Sequence, residues 1–121
     1  MRKQLVALAC ECARLCLDYS EGPQPLKAIE AAESWLRGEA SVDEVKTCAI
    51  SSAHHGCDIG YSASCATAYS AYNAALTVYA DDPIDSARRA IDSCAFANRE
   101  ETLKKCATII DKHGFRLLPN A

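Results

Sequence analysis

The sequence is poor in large aromatic residues and in residues that interrupt helices. Its 121 residues include two phenylalanines, one tryptophan, five glycines and four prolines, and half of the residues are hydrophobic. No apolar run approaches the roughly 20 residues that a membrane-spanning helix needs. The lack of a long apolar run argues against a membrane protein. Because alanine and small aliphatic residues make up most of the apolar share, they predict a core in which helices approach one another closely.

A strong excess of charge of either sign is also missing. The chain carries 13 basic and 16 acidic side chains, which gives a net charge of −3. Dedicated nucleic-acid binders are usually strongly basic, so we expect no direct contact with DNA or RNA. The acidic excess lies in residues 1–60, and any acidic binding surface is expected there.

Motifs for nucleotide binding and for zinc are absent as well. No G-x-x-x-x-G-K or G-x-G-x-x-G run occurs, and none of the eight cysteines belongs to a C-x2-C pair. The start resembles a lipoprotein signal, but its apolar run, Leu5 to Ala9, is shorter than the roughly 7–15 residues of a signal h-region. We therefore expect a cytoplasmic protein with reduced thiols, no metal and no cofactor.

Apolar residues recur every three or four positions over most of the chain, which is the period of an amphipathic helix. Caps, prolines and glycines divide the pattern into six predicted helices. They run from Lys3 to Tyr19, from Pro25 to Gly38, from Ser41 towards Gly56 or Gly60, from Tyr61 to Ala80, from Pro83 to Ala95, and from Asn98 to Gly114. The sequence thus predicts an all-α fold, a compact bundle of about six helices in a single domain, residues 1–121, with a short tail, residues 115–121. We expect Phe115, Leu117 and Leu118 of this tail to dock on the bundle.

Two capping signals support these boundaries. Ser41 and Glu44 have the spacing of a capping box, and Asp82 precedes a proline at a predicted first helical position. The helix over residues 61–80 is apolar on two faces, so we expect it to lie between neighbouring helices. The small apolar residues of this helix give it more apolar surface than one six-helix domain can cover. We therefore expect a symmetric homodimer.

An acidic cluster is the first candidate for a partner-binding site. Glu30 and Glu33 lie three residues apart on one helix face, and Glu39 and Asp43 follow across a short connection. Carboxylates can occupy a surface that otherwise receives phosphates. This cluster therefore suits the basic groove of a protein target such as a nuclease or a nucleic-acid-handling complex.

The tyrosines Tyr69, Tyr72 and Tyr79 form a second candidate. They share one stripe, which either lies in the core or contributes part of an interface, since a tyrosine can bury its ring and leave its hydroxyl at an edge. We favour the core interpretation.

His54 and Cys57 offer the only local combination of a base and a nucleophile, with Asp58 next in sequence. Their spacing places them on one helix face, so a metal- or thiol-dependent enzyme or sensor is the alternative function. No Gly-rich elbow surrounds them to present an oxyanion hole. We therefore do not expect an enzyme.

The run from Pro25 to Glu39, followed by residues 41–46 and by Ala53 and His54, resembles the immunity proteins of bacterial polymorphic toxin loci and similar Ala- and Tyr-rich phage proteins. Those are small all-α proteins thought to neutralise a partner toxin. Residues 65–72 lack the second Ala-His pair of that family, so a role for paired histidines is not expected. The resemblance implies a non-catalytic inhibitor, either an immunity protein or a phage-encoded anti-defence protein such as an anti-CRISPR.

Overall fold

Helices account for all the regular structure in residues 1–59, 62–96 and 99–115, the parts of the chain that the computed structural model describes. They are α1 (Arg2–Arg14), α2 (Gln24–Leu36), α3 (Val42–Ile59), α4 (Ala63–Leu76), α5 (Pro83–Cys94) and α6 (Arg99–Lys112), with a 3₁₀ helix at Leu17–Tyr19. The predicted all-α bundle of six helices is confirmed. No helix in the described ranges is both long and apolar enough to cross a bilayer.

The central helix of the bundle is α4, which contacts α1, α2, α3 and α5. Its buried side chains are all small: Ser64, Thr67, Ala68, Ser70, Ala71, Asn73, Ala74 and Ala75. Small side chains let neighbouring backbones come close, as the composition predicts. Because α4 is covered on several sides, it does not offer the free apolar face that suggested a homodimer, and the oligomeric state stays a prediction.

Buried hydroxyl groups form hydrogen bonds between α4 and its neighbours. Ser70 donates to the carbonyl oxygen of Ala90 on α5 at 2.7 Å, and Ser52 of α3 donates to the carbonyl oxygen of Ala68 at 2.7 Å. Each bond satisfies a hydroxyl that would otherwise cost about 1–3 kcal/mol when buried without a partner. The core is therefore held by polar contacts as well as by apolar ones.

α3 passes through Gly56 without a break and ends at Ile59. The sequence predicts that this helix ends or bends at Gly56 or Gly60; it does not end at Gly56, and Gly60 lies outside the described residues. A Cβ atom at Gly56 would lie 3.0 Å from Cε2 of Tyr69 and 3.2 Å from Cβ of Ala68. The missing side chain thus gives α4 room against α3, and tertiary packing outweighs the low helix propensity of glycine.

The two predicted caps are present. The Glu44 amide donates to Oγ of Ser41 at 3.1 Å, and the Ser41 amide donates to Oε1 of Glu44 at 3.3 Å, which completes the capping box. The carboxylate of Asp82 accepts from the Asp85 amide at 3.1 Å. Asn98, the first residue of the predicted sixth helix, lies outside the described residues.

The first helix is shorter than predicted. α1 ends at Arg14, and the chain tightens into the 3₁₀ helix, where Tyr19 is exposed instead of facing the core. The carbonyl oxygen of Cys16 accepts from the Tyr19 amide at 3.1 Å and from Oγ1 of Thr67 on α4 at 2.9 Å. The second bond connects the turn after α1 to α4.

The sixth helix is held mainly at its carboxyl end and at one buried residue. The Glu11 carboxylate of α1 accepts from Nζ of Lys112 at 3.0 Å and lies 2.8 Å from Nε2 of His113. Gly114, at φ +83°, then turns the chain, so that the Phe115 amide donates to the Ile110 carbonyl oxygen at 3.1 Å. Phe115 packs on the core as predicted. Leu117 and Leu118, expected to dock beside it, lie outside the described residues.

We expect the substitution Gly56→Leu to lower the free energy of unfolding by about 2 kcal/mol. The added side chain must displace Tyr69 or Ala68, which outweighs the gain of about 1 kcal/mol from removing a helical glycine. Urea unfolding measures the change, with Ser51→Leu at an exposed position of α3 as the matched control. Equal stability of wild type and the Gly56 variant would contradict the close approach of α3 and α4.

Glu11→Gln should loosen α6 in a pH-dependent way. Partial burial opposes ionisation of Glu11, but the hydrogen bonds and charges of Lys112 and His113 leave its pKa lower than usual. Its contribution is therefore present above the pKa of the unfolded chain and is lost as the pH falls through the lowered pKa. Because the group is mostly exposed, we expect less than about 1 kcal/mol at neutral pH.

Thermal melts of wild type and the Glu11→Gln variant between neutral and acid pH test this. Their difference should shrink as the pH falls, while Asp18→Asn, at an exposed site on the 3₁₀ helix, should show no such trend. A difference that does not change with pH would show that the Glu11 charge does not hold α6.

Candidate functional site

The acidic cluster lies at the corner between α2 and α3. The side chains of Glu30, Glu39 and Asp43 are exposed, and that of Glu33 is partly buried. Gly38, at φ +76°, ends α2, and the Glu39 amide donates to the Ser34 carbonyl oxygen at 2.8 Å. Together with the capping box on the other side, this fixes the connection that carries Glu39 and Asp43.

Two of the four predicted carboxylates already have basic partners. Arg14 holds Glu33 through two bonds, from Nε to Oε2 at 2.8 Å and from Nη2 to Oε1 at 2.5 Å. These bonds, with the added charge of Glu30, raise the pKa of Arg14. Arg37 pairs with Glu39 at 3.1 Å. The corner is therefore less negative than its sequence suggests, and Glu30 and Asp43 remain its most available carboxylates.

The three tyrosines lie along the seam between α3 and α4 and are half-buried. The ring of Tyr69 packs on Gly56, and the ammonium group of Lys46 lies 5.2 Å from the centre of the Tyr79 ring. Burial raises the pKa of Tyr79, with a further contribution from Tyr72. The stripe therefore belongs neither wholly to the core nor wholly to an open surface.

Tyr69 borders a groove of about 330 Å³ between α4 and the end of α5, together with Cys65 and the 60%-exposed Phe96. An exposed aromatic ring beside a tyrosine is typical of interface composition. Of the tyrosine candidates, Tyr69 has the surroundings best suited to a partner.

His54 and Cys57 are both exposed, and the structure does not join them. The Cys57 thiol is hydrogen-bonded to the Tyr69 hydroxyl at 2.8 Å, and the neighbouring His55 contacts the carbonyl oxygen of Glu21. Across the described ranges, no group of three or more histidine, cysteine, aspartate or glutamate residues is arranged to hold a metal ion. The alternative function, a metal- or thiol-dependent enzyme or sensor, therefore has no assembled metal site in this part of the chain.

Four buried cysteines from three helices form a thiol array. Cys12 and Cys16 come from α1 and the turn after it, Cys94 from α5 and Cys106 from α6, and the sulfur atoms of Cys94 and Cys106 are 3.8 Å apart. Hydrogen bonds from Cys12 and Cys94 lower the pKa of Cys106 and raise their own. All four are free thiols, and they fasten α6 to α1 and α5.

Beside this array lies an apolar groove of about 490 Å³ bordered by α1, α5 and α6. Its lining consists of Leu5, Leu8, Ile84, Ala87, Arg88, Ile91, Leu103, Cys106, Ala107, Ile110 and Phe115. Ile84, which the helical pattern places on the apolar face of α5, is 51% exposed at the rim. We call this feature the α1–α5–α6 groove.

The sequence does not predict this groove, for a physical reason. The apolar stripes of α5 and α6 predict contact with the core, and most of these residues do lie against it. Periodicity cannot show whether facing stripes close on each other. Only Cys106 of α6 is fully buried, so the two helices meet the bundle without filling the space between them.

No protein-family model, curated protein or solved structure matches this chain. The resemblance to immunity proteins therefore stays a prediction. The surfaces described above are the grounds on which a function can be proposed.

The thiols should differ sharply in reactivity. Burial raises the pKa of Cys10 to about 12 and keeps the thiol array away from solvent, whereas Cys57 is exposed. In native protein we expect Ellman's reagent to modify Cys57 first, the partly buried Cys48 and Cys65 more slowly, and the other thiols only after denaturation.

A second measurement concerns cross-linking. Reducing agent should leave the melting temperature unchanged, because free thiols contribute packing and do not constrain the unfolded chain. A marked loss of stability on reduction would contradict the assignment of all eight cysteines as free.

Proposed function

We propose that this chain is a non-catalytic binding protein that inhibits a protein partner in the bacterial cytoplasm. A toxin-neutralising immunity protein and a phage-encoded anti-CRISPR protein are the two roles that suit it. The observation that carries the proposal is the α2–α3 corner, where the exposed carboxylates of Glu30 and Asp43 lie on two helices joined by a connection capped on both sides. Side chains that are already held in place lose less conformational entropy when a partner binds, which favours affinity.

The chemistry of the corner favours a basic partner. Glu30 lies in the middle of α2 and Asp43 in the first turn of α3, so both charges are carried by helices of the fold. Carboxylates in such an arrangement attract a groove that normally receives phosphates, and they speed association at low ionic strength. A nuclease or a nucleic-acid-handling complex presents such a groove.

The internal ion pairs decide which carboxylates can test this proposal. Replacing Glu33 would break its two bonds with Arg14 and disturb the contact between α1 and α2, so loss of binding would be ambiguous. Glu44 is excluded because it completes the capping box. Glu30 and Asp43 can be replaced without losing a side-chain bond that holds the fold.

The double substitution Glu30→Lys and Asp43→Lys should weaken partner binding about tenfold or more, because like charges across an interface are costly. Immobilised protein is used to capture a partner from lysate of the bacterial host, and the affinity of the captured protein is then measured at low and high salt. The matched control is Asp18→Lys with Asp111→Lys, which makes the same change in net charge at exposed sites elsewhere.

We expect the control to bind like wild type and to keep its salt dependence, which the double variant should lose. Retained binding by a folded Glu30 and Asp43 variant would rule out the α2–α3 corner. Substitution of Tyr69 and Phe96 would then test the groove beside α4.

A further inference from the structure

The α1–α5–α6 groove has an apolar floor that is open to one side among the described residues. Leu5, Leu8 and Ala87 are buried beneath it, and Ile91 and Ile110 pack on the core at its sides. Its volume of about 490 Å³ falls within the roughly 300–1,000 Å³ of small-molecule sites. Water in such a groove finds few polar partners, so an apolar ligand would release it favourably.

The walls of the groove are anchored on both sides of the opening. α6 is tied to α1 by the bonds of Glu11 with Lys112 and His113, and the Cys106 thiol fixes its middle against Cys94. Gly114 turns Phe115 back over Ile110 at one end. The groove is therefore part of the folded structure and does not depend on a ligand to form.

One cation lies at the rim of this groove. Arg88 is exposed and lines the groove, and it makes no hydrogen bond or ion pair with the described part of the chain. The next residue, Arg89, forms an ion pair, since its Nε lies 3.0 Å from Oδ2 of Asp85. Arg89 also does not line the groove. No acidic side chain is found among the described lining residues.

We propose that the α1–α5–α6 groove binds a long-chain carboxylate, with the hydrocarbon chain on the apolar floor and the carboxylate at Arg88. The apolar lining selects a hydrocarbon chain, and the guanidinium group offers paired donors that match a carboxylate. This site lies apart from the α2–α3 corner and is independent of the proposed inhibition of a protein.

The arrangement predicts an order among ligands that share one chain. A carboxylate gains both the apolar burial and the contact with Arg88. An alcohol of the same length gains the burial alone, and a quaternary ammonium compound is repelled by the guanidinium group. The head group therefore separates this site from non-specific adsorption to an apolar surface.

Isothermal titration calorimetry on the full chain tests the proposal with dodecanoate, dodecanol and dodecyltrimethylammonium, each below the concentration at which it aggregates. We expect one dodecanoate per chain and weaker binding of the other two. Arg88→Gln should weaken dodecanoate binding about tenfold and leave dodecanol binding unchanged. Arg89→Gln, the matched control, should bind all three ligands like wild type.

Filling the groove provides an independent test. Ala107→Trp should abolish binding of both dodecanoate and dodecanol, with circular dichroism confirming a folded variant. Ile84→Asp offers a milder change at a half-exposed site one helical turn before Arg88, where the new carboxylate would pair with the guanidinium group and displace the ligand.

The proposal fails if wild type shows no dodecanoate binding, or if Arg88→Gln binds dodecanoate as tightly as Arg89→Gln does. It also fails if a folded Ala107→Trp or Ile84→Asp variant retains wild-type affinity. None of these outcomes depends on the α2–α3 corner, so the two proposals can fail separately.

Discussion

The close approach of α4 to its neighbours is the constraint on which the rest of this bundle depends. The serine, threonine and alanine side chains on α4 are short, so the Ser70 hydroxyl reaches the backbone of α5 and the Ser52 hydroxyl of α3 reaches the backbone of α4. Each such bond gives a buried hydroxyl a partner and also fixes the position of one helix along the other. Gly56 extends the same principle to α3, where even a methyl group would press on Tyr69 and Ala68.

A core of small side chains has a consequence for the larger ones. Leucine, isoleucine and phenylalanine find little room around α4, and several of them collect where α1, α5 and α6 meet. Ile84 and Phe96 stay more than half exposed. The α1–α5–α6 groove follows from this division, because α6 is anchored by a thiol, an ion pair and a capped turn, without a full layer of interlocking side chains.

The charged groups divide in a comparable way between the fold and the surface. Three arginines, Arg14, Arg37 and Arg89, each form an ion pair with a carboxylate. The negative charges of those carboxylates are therefore partly neutralised within the molecule. The fold leaves two sets of charges available for ligands: Glu30 and Asp43 at the α2–α3 corner, and Arg88 at the α1–α5–α6 groove. The α2–α3 corner suits a basic macromolecule, and the α1–α5–α6 groove suits an amphiphilic anion.

The sequence by itself determined the helices and their caps, because the 3.6-residue period, the Ser41 and Glu44 box and the Asp82 cap all depend on residues within one turn of each other. Tertiary structure alone decided that Gly56 continues a helix and that, among the described residues, a groove lies between α5 and α6. Each of these results depends on groups far apart in the chain, such as Gly56 with Tyr69 and Ala68. A local pattern carries no information about such distances, so the acidic cluster could be predicted, whereas its ion pairs and the Arg88 site could not.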